Sequence, residues 1–372
     1  MKYYIIAGEA SGDLHGANLM KHLFKHDKNA EVRFWGGDLM QNVGGTLIKH
    51  FKDLAFMGFI EVVMNLRTIL KNIAFCKKDI ASFAPDALVF IDYPGFNLRI
   101  AKWAKQQGIP THYYISPQIW AWKENRIKAI KRDVDQMYVI LPFEKPFYED
   151  KHHFPVHFVG HPLIDAISGR TTLSHEEFSN QHKLIPDKKI IALLPGSRKQ
   201  EIRKMLQVML AIAPDFPDYQ FVIAGAPGLA HEFYKPFISK ANVHFVANKT
   251  YDLLSVAYAA MVTSGTATLE TALFKVPEVV CYKGNWISYQ IAKRIISLDY
   301  ISLVNLIMDA PVVTELIQGD FTENRLKKEL KLLLDTDYRA QLLVKYKELE
   351  QKLGGTGASE QTAKLIINAL KK

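Results

Sequence analysis

The sequence predicts an α/β protein built as two domains, each a parallel sheet covered by helices. Three observations predict it. The chain has 372 residues, more than one hydrophobic core usually organises. Its first half alternates short apolar runs with amphipathic stretches, the pattern of a parallel sheet. The same alternation starts again near Lys189.

In the first half, Tyr3–Ala7 reads as a strand ending at Gly8, with a helix from about Leu14 to His26. Val32–Trp35 ends in Gly36-Gly37, and Phe59–Phe83 has helical spacing. Ala87–Ile91 is a strand stopping at Asp92, Asn97–Gln107 is helical, and Thr111–Ile115 and Met137–Leu141 are further strands. In the second half the strands are Lys189–Leu194, Gln220–Ala224, Val243–Val246, Ala259–Thr263 and Glu278–Tyr282, with three helical segments after Thr322. The polar stretch Gly160–Ser174 marks the boundary, expected as 1–164 for the first domain and 165–349 for the second. Two such halves are expected to bind ligand in the cleft between them.

Composition narrows the function classes. A 48% hydrophobic fraction provides for packed cores. The formal net charge of +9 favours phosphorylated or membrane partners. From Arg99 to Arg132 there are eight Lys or Arg residues and one acid, interleaved with Trp103, Trp120 and Trp122, but no nucleic-acid recognition motif accompanies them. Cys76 and Cys281 stand apart, so neither a disulfide framework nor a thiolate metal site is implied. The N-terminus reaches Glu9 too early for a signal peptide, and no apolar run is long enough to span a bilayer. A cytoplasmic location is expected.

Four motifs carry candidate chemistry. Gly8-Glu9-Ala10-Ser11-Gly12-Asp13 follows the first strand but lacks the pattern of a dinucleotide or Walker loop. Its acids, Glu9 and Asp13, and Ser11 suit sugar hydroxyls; a glycine turn kept for packing would look the same. Asp92, at the carboxyl end of a strand, could take a proton from an attacking hydroxyl or cap the next helix. Gly196, Ser197 and Arg198 offer amides and a forked cation to a diphosphate. Ser264, Gly265 and Thr266 open a helix in a small-residue turn, with Glu270 one turn in and able to accept from ribose hydroxyls. Asp133-Val134-Asp135 precedes a strand, unlike the Asp-x-Asp of metal-dependent sugar transferases. His152, His153, His157 and His161 lack zinc-site spacing, and His161-Pro162 is expected instead to line the cleft.

An ordered set of segments resembles the lipid-A-disaccharide synthase family. They are Gly8–Asp13, Met57-Gly58 with Glu61-Val62, Ile91-Asp92 with Phe96-Asn97, Ser116-Pro117-Gln118-x-Trp120-Ala121-Trp122, Leu141-Pro142-Phe143-Glu144, Gly160-His161-Pro162, Leu194–Arg198, Ser264–Ala267 with Leu269-Glu270, and Tyr300-x-Ser302-Leu303-x-Asn305. The resemblance covers residues 8 to 305 and implies a GT-B architecture, two Rossmann-like domains with the last helix, about 350–372, returning to the first. It implies inverting transfer of 2,3-diacylglucosamine from UDP-2,3-diacylglucosamine to the 6′-hydroxyl of 2,3-diacylglucosamine 1-phosphate, with no metal or other cofactor. Asp92 becomes the candidate base and Arg198 a nucleotide ligand. Glu9, Glu270 and Asn305 match further site positions, and Ser11, Asp13, Asn97, Gln118 and His161 fall on the acceptor or cleft side. Gly95 stands where some members carry an acid.

Acylated substrates imply a peripheral place on the inner-membrane surface. Phe56–Ile80, which mixes apolar residues with Arg67, Lys71, Lys77 and Lys78, is the expected contact, although an ordinary core helix would read similarly. A homodimer is left open. Another UDP-sugar enzyme of the same fold, such as a UDP-N-acetylglucosamine 2-epimerase, is the alternative.

Overall fold

The computed structural model describes residues 1–54, 66–226, 228–238, 242–284 and 299–371. Met57-Gly58, Glu61-Val62 and the start of the Phe56–Ile80 segment lie outside the described residues.

The chain divides into two compact units, Met1–Gly169 with Leu353–Lys372, and Arg170–Lys352. The first contains β1 (Lys2–Ala7), β2 (Glu31–Gly36), β3 (Thr46–His50), β4 (Ala87–Ile91), β5 (Thr111–Tyr114), β6 (Gln136–Val139) and β7 (His157–Phe158). All pair in parallel, in the order β3-β2-β1-β4-β5-β6-β7. The second contains β8 (Lys189–Leu194), β9 (Tyr219–Gly225), β10 (Val243–Ala247), β11 (Ala257–Thr263), β12 (Glu278–Tyr282) and β13 (Glu315–Ile317), parallel in the order β10-β9-β8-β11-β12-β13.

Helices cover both faces of a parallel sheet, so its central strands read as continuous apolar runs. Tyr3–Ala7 and Ala87–Ile91 are wholly buried, as are Ile190–Leu193 and Ala259–Val262. In each sheet the strand order reverses once, between β1 and β4 and between β8 and β11. Loops leaving the two strands at such a switch point run to opposite faces and open a crevice there. All four chemical motifs begin where those strands end: Gly8–Asp13 after β1, Asp92 after β4, Pro195–Arg198 after β8 and Ser264–Thr266 after β11.

The first helix begins at Ala10 rather than near Leu14 and runs to His26. Gly12 and Gly16 are therefore inside it, and their small size serves packing. A Cβ on Gly16 would lie 2.6 Å from Met40 Sδ and 3.2 Å from Ile91 Cδ1. The helix thus presses against the end of β4.

The C-terminal helix Ala358–Leu370 packs on the helix Ala10–His26 within the first unit. Its start is held from a distant part of the sequence. Asp165 accepts from Gly357 N at 2.6 Å and Ser359 N at 3.0 Å, and His161 N donates to Leu353 O at 3.0 Å. A carboxylate on two amides at a helix start satisfies orphan donors and complements the helix dipole. Asp165→Ala should therefore lower the unfolding free energy by about 1–2 kcal/mol. It should also speed amide exchange across 358–370, read by urea titration and hydrogen-exchange mass spectrometry.

Candidate active site

At the first switch point the chain leaves β4 through two successive non-glycine residues in the left-handed region, Asp92 (φ 45) and Tyr93 (φ 49). Each costs about 1–3 kcal/mol and persists only where its surroundings enforce it. Here the Asp92 carbonyl accepts from Tyr113 OH at 2.6 Å and from Asn97 Nδ2 at 2.7 Å. Asp92 N donates to Tyr114 O at 3.2 Å. Tyr93 O receives Asn97 N at 3.0 Å, which starts the helix Pro94–Gln106. The Tyr93 ring then covers Gly8, where a Cβ would stand 2.4 Å from ring atoms. Gly8 is glycine because Tyr93 occupies the space.

The turn leaves the Asp92 carboxyl half-buried beside Glu9. Burial, and then the Glu9 charge, push the Asp92 carboxyl up to about 6. Glu9 and Ser11 are exposed at the start of the first helix. This is a proton acceptor poised near neutrality with a second carboxylate next to it.

Other residues expected to face ligand hydrogen-bond to the scaffold. Asp13 is buried and accepts from Gly37 N, Leu39 N and Met40 N at 2.7–3.1 Å, capping the short helix Asp38–Val43. Asn97 is buried beneath the turn, with its Nδ2 group on backbone carbonyls. His161 is buried too: its Nδ1 accepts from Leu163 N at 3.2 Å, and burial drives its pKa down to about 3, so it is neutral. A motif shows that a polar side chain is needed; it does not show whether the partner is ligand or backbone.

Gln118 is exposed on the loop after β5. That loop hangs from Glu144, a fully buried carboxylate that the sequence reading quoted without a role. Glu144 accepts from Ser116 Oγ (2.6 Å), Trp120 Nε1 (3.2 Å), Ile140 N (3.1 Å) and Leu141 N (2.9 Å). It ties the Ser116–Trp122 and Leu141–Glu144 segments together.

The second switch point holds a cavity of about 410 Å³, lined among others by Gly196, Ser197, Ser264, Gly265, Thr266 and Glu270. Gly196 (φ 105) and Gly265 (φ 149) adopt backbone that favours glycine. Glu270 accepts from Tyr251 OH at 2.7 Å, and burial raises its pKa. Tyr251 and Glu201 also line the cavity and belonged to no motif; the acid in the first turn of the helix Lys199–Ala211 was the only signal for either. Arg198 is exposed at the N-cap of that helix and is not among the lining residues. Asn305 is buried, with Nδ2 on Val313 O and Glu315 Oε1 and Oδ1 receiving Val313 N.

The Asp-x-Asp and histidine segments are occupied by protein partners. Asp133 pairs with Arg132, and Asp135 with Lys105 and Thr111. His152 faces Glu124, and His157 faces Gln136. Among the described residues, one His and carboxylate group has metal-like closeness: His22, His26 and Glu360. The Glu360 oxygen there already accepts from Lys25 and Lys364, and the pair of histidines lies roughly 20 Å along the first helix from Glu9.

Two parallel sheets with a ligand-type crevice at each switch point are the GT-B architecture, which glycosyltransferases and sugar-nucleotide epimerases share. Solved structures of similar fold include a Staphylococcus aureus MnaA–UDP complex (TM-score 0.71, 14% identity, 100% of this chain and 97% of that one). The Neisseria meningitidis UDP-GlcNAc 2-epimerase bound to UDP-GlcNAc is another (0.65, 14%, 100% of both chains). The glycosyltransferase of kitacinnamycin is a third (0.65, 15%, 99% and 98%). At such identities they report fold alone. Sequence is more specific: residues 3–367 match the lipid-A-disaccharide synthetase family model. Lipid-A-disaccharide synthases of Syntrophus aciditrophicus (41% identity, 99% of this chain, 97% of the relative) and Coxiella burnetii (40%, 98% of both) align over nearly the whole chain. The chain belongs to the lipid-A-disaccharide synthase family and is a glycosyltransferase of lipid A biosynthesis. The epimerase alternative retains only a shared fold.

The Gly8–Tyr93 contact makes a direct test of the site's construction. Gly8→Ala should cost about 1–3 kcal/mol by overpacking and depress turnover, because Asp92 moves with the displaced ring. Adding Tyr93→Ala should recover part of the thermal stability but not the turnover.

Proposed function

We propose that this chain condenses UDP-2,3-diacylglucosamine with 2,3-diacylglucosamine 1-phosphate. The products are the β-1,6-linked disaccharide 1-phosphate and UDP. The observation that carries the reading is the Asp92 carboxyl, raised to about 6 by burial and by Glu9 at the first switch point. Asp92 takes the proton of the acceptor 6′-hydroxyl as its oxygen bonds to the donor's anomeric carbon. The bond to the diphosphate breaks as the new one forms, so the anomeric configuration inverts. Glu9 keeps Asp92 basic and accepts from sugar hydroxyls, together with Ser11 and Gln118.

The second unit holds the nucleotide. Amides around Gly196-Ser197 and Ser264-Gly265-Thr266 suit a diphosphate, Glu270 suits ribose hydroxyls, and exposed Arg198 is free to swing onto the leaving group. Asn305 acts here as a brace that shapes the wall. Neither role needs a metal.

The enzyme works at the cytoplasmic face of the inner membrane as a peripheral protein. No helix among the described residues is long and apolar enough to cross a membrane. The helix Leu66–Phe83 supports surface contact, with Leu70 55% and Phe75 49% exposed next to exposed Lys71 and Lys78. Charge reversal at Lys71, Lys77 and Lys78 should lower co-sedimentation with anionic vesicles and leave neutral vesicles unaffected; equal binding before and after refutes the contact.

Assay of the purified protein with both acylated substrates tests the reaction. Turnover should fall below a pH of about 6, as Asp92 takes up its proton. Glu9→Gln removes a charge that raises this pKa, so the acid limb should move to lower pH. Asp92→Asn should cut turnover by about 10²–10⁴-fold with UDP affinity retained. Loss of UDP binding instead assigns Asp92 to the wrong role.

A further inference from the structure

Trp122 is 47% exposed on the loop after β5. Two cations lie against its ring: Lys123 Nζ is 4.2 Å and the Arg126 guanidinium carbon 5.7 Å from the ring centroid. Lys123 adopts φ 57, a left-handed conformation that a lysine has no intrinsic reason to take. Among the described residues, no carboxylate forms an ion pair with either cation. The adjacent Glu124 is engaged by Lys151 at 2.7 Å and His152 at 3.0 Å.

These cations belong to the same end of the sheet as the candidate base. β5 pairs with β4 through Phe90↔Tyr113 and Ile91↔Tyr114. Tyr113 spans the two loops: its hydroxyl donates to the Asp92 carbonyl, and the Arg126 charge acts on that hydroxyl. Among the described residues Arg126 forms no ion pair with Asp92, whose carboxyl is pushed up by burial and by Glu9. The guanidinium is thus not spent on neutralising the base. Glu144 anchors the loop from below through Ser116 and Trp120.

We infer that Lys123 and Arg126, presented by Trp122, form a subsite for the phosphomonoester of the acceptor sugar. A phosphomonoester offers three oxygens and up to two negative charges. The guanidinium fork takes two oxygens and the ammonium the third. The indole face holds both side chains in place beforehand, so less freedom is lost when the phosphate arrives. The anomeric phosphate on C1 and the reacting hydroxyl on C6, which is borne by C5, flank the same ring oxygen. An anchor at the phosphate therefore fixes the orientation of the ring and directs the hydroxyl to Asp92. The subsite selects a phosphorylated acceptor and orients it. This inference rests on the proposed reaction and specifies its acceptor side.

The test compares 2,3-diacylglucosamine 1-phosphate with its dephosphorylated counterpart. Binding is read by calorimetry in detergent micelles, and turnover by the split between acceptor KM and kcat. The full-length protein should prefer the phosphorylated sugar by about 10- to 100-fold. Lys123→Gln with Arg126→Gln should bring that preference close to one, raise acceptor KM by a similar factor and leave donor KM unchanged. Arg126→Lys should restore part of the preference. An undiminished preference in the double variant overturns the subsite, as does an equal loss for both sugars. A variant that loses only its binding to anionic vesicles shows a lipid-headgroup patch instead, and overturns it as well. If the unaltered protein forms no disaccharide, the reaction itself is wrong, while the binding ratio still decides the subsite.

Discussion

The left-handed turn at Asp92 and Tyr93 is the constraint on which the first unit's site depends. Its two residues are forced into costly backbone by three polar braces: Asn97 from the following helix, Tyr113 from the next strand and the Tyr114 carbonyl. That strain places a carboxyl at the rim of the switch point instead of turning it back to cap the helix behind it. It also throws the Tyr93 ring over β1's exit, which compels glycine at position 8 and sets where Glu9 begins the first helix. The raised Asp92 pKa is the electrostatic result of the same geometry: one carboxyl half-buried by the turn, another held beside it.

The central strands were legible because burial on both faces leaves continuous apolar runs, and β8 and β12 match their expected limits residue for residue. The strands β3, β7 and β13 were not foreseen. They are short, lie at or near the sheet edges and carry polar residues such as Lys49, His157 and Glu315, so no apolar run announces them. The early start of the first helix was hidden for a related reason. Glycines at 12 and 16 look like loop residues in sequence, but tight contact with Ala7, Met40 and Ile91 makes a side chain the costlier choice there. Packing overrides their poor helix propensity.

The same limit governs the candidate site. Motif positions that flank a strand's carboxyl end were recognisable, and in the second unit six candidate ligand residues line one cavity. Asp13, Asn97, His161 and Asn305, expected on the ligand side, make hydrogen bonds to the backbone, whereas Glu144 and Tyr251, to which the motifs assign no part, hold a loop or a buried carboxyl. The distinction lies in which direction a polar side chain points, and spacing along the chain does not contain that information. Bracing residues are as indispensable as contacts, because a strained turn relaxes once its hydrogen bonds go.

Charge is distributed unevenly around the first unit's site. A net charge of +9 could simply coat the surface, yet beside Asp92 the acids stand together and the cations stand apart. Glu9 raises the base; an ion pair from a nearby Arg or Lys would lower it and end its usefulness near neutral pH. The basic residues of the loop after β5 must therefore approach the site without neutralising the base. Lys123 and Arg126 lie against an indole face, and among the described residues neither forms an ion pair with Asp92. The proposed reaction, which joins a phosphorylated sugar to a diphosphate donor, would need cations for binding and an unpaired carboxylate for proton transfer. Separate loops, each braced by its own buried groups, would let the fold provide both.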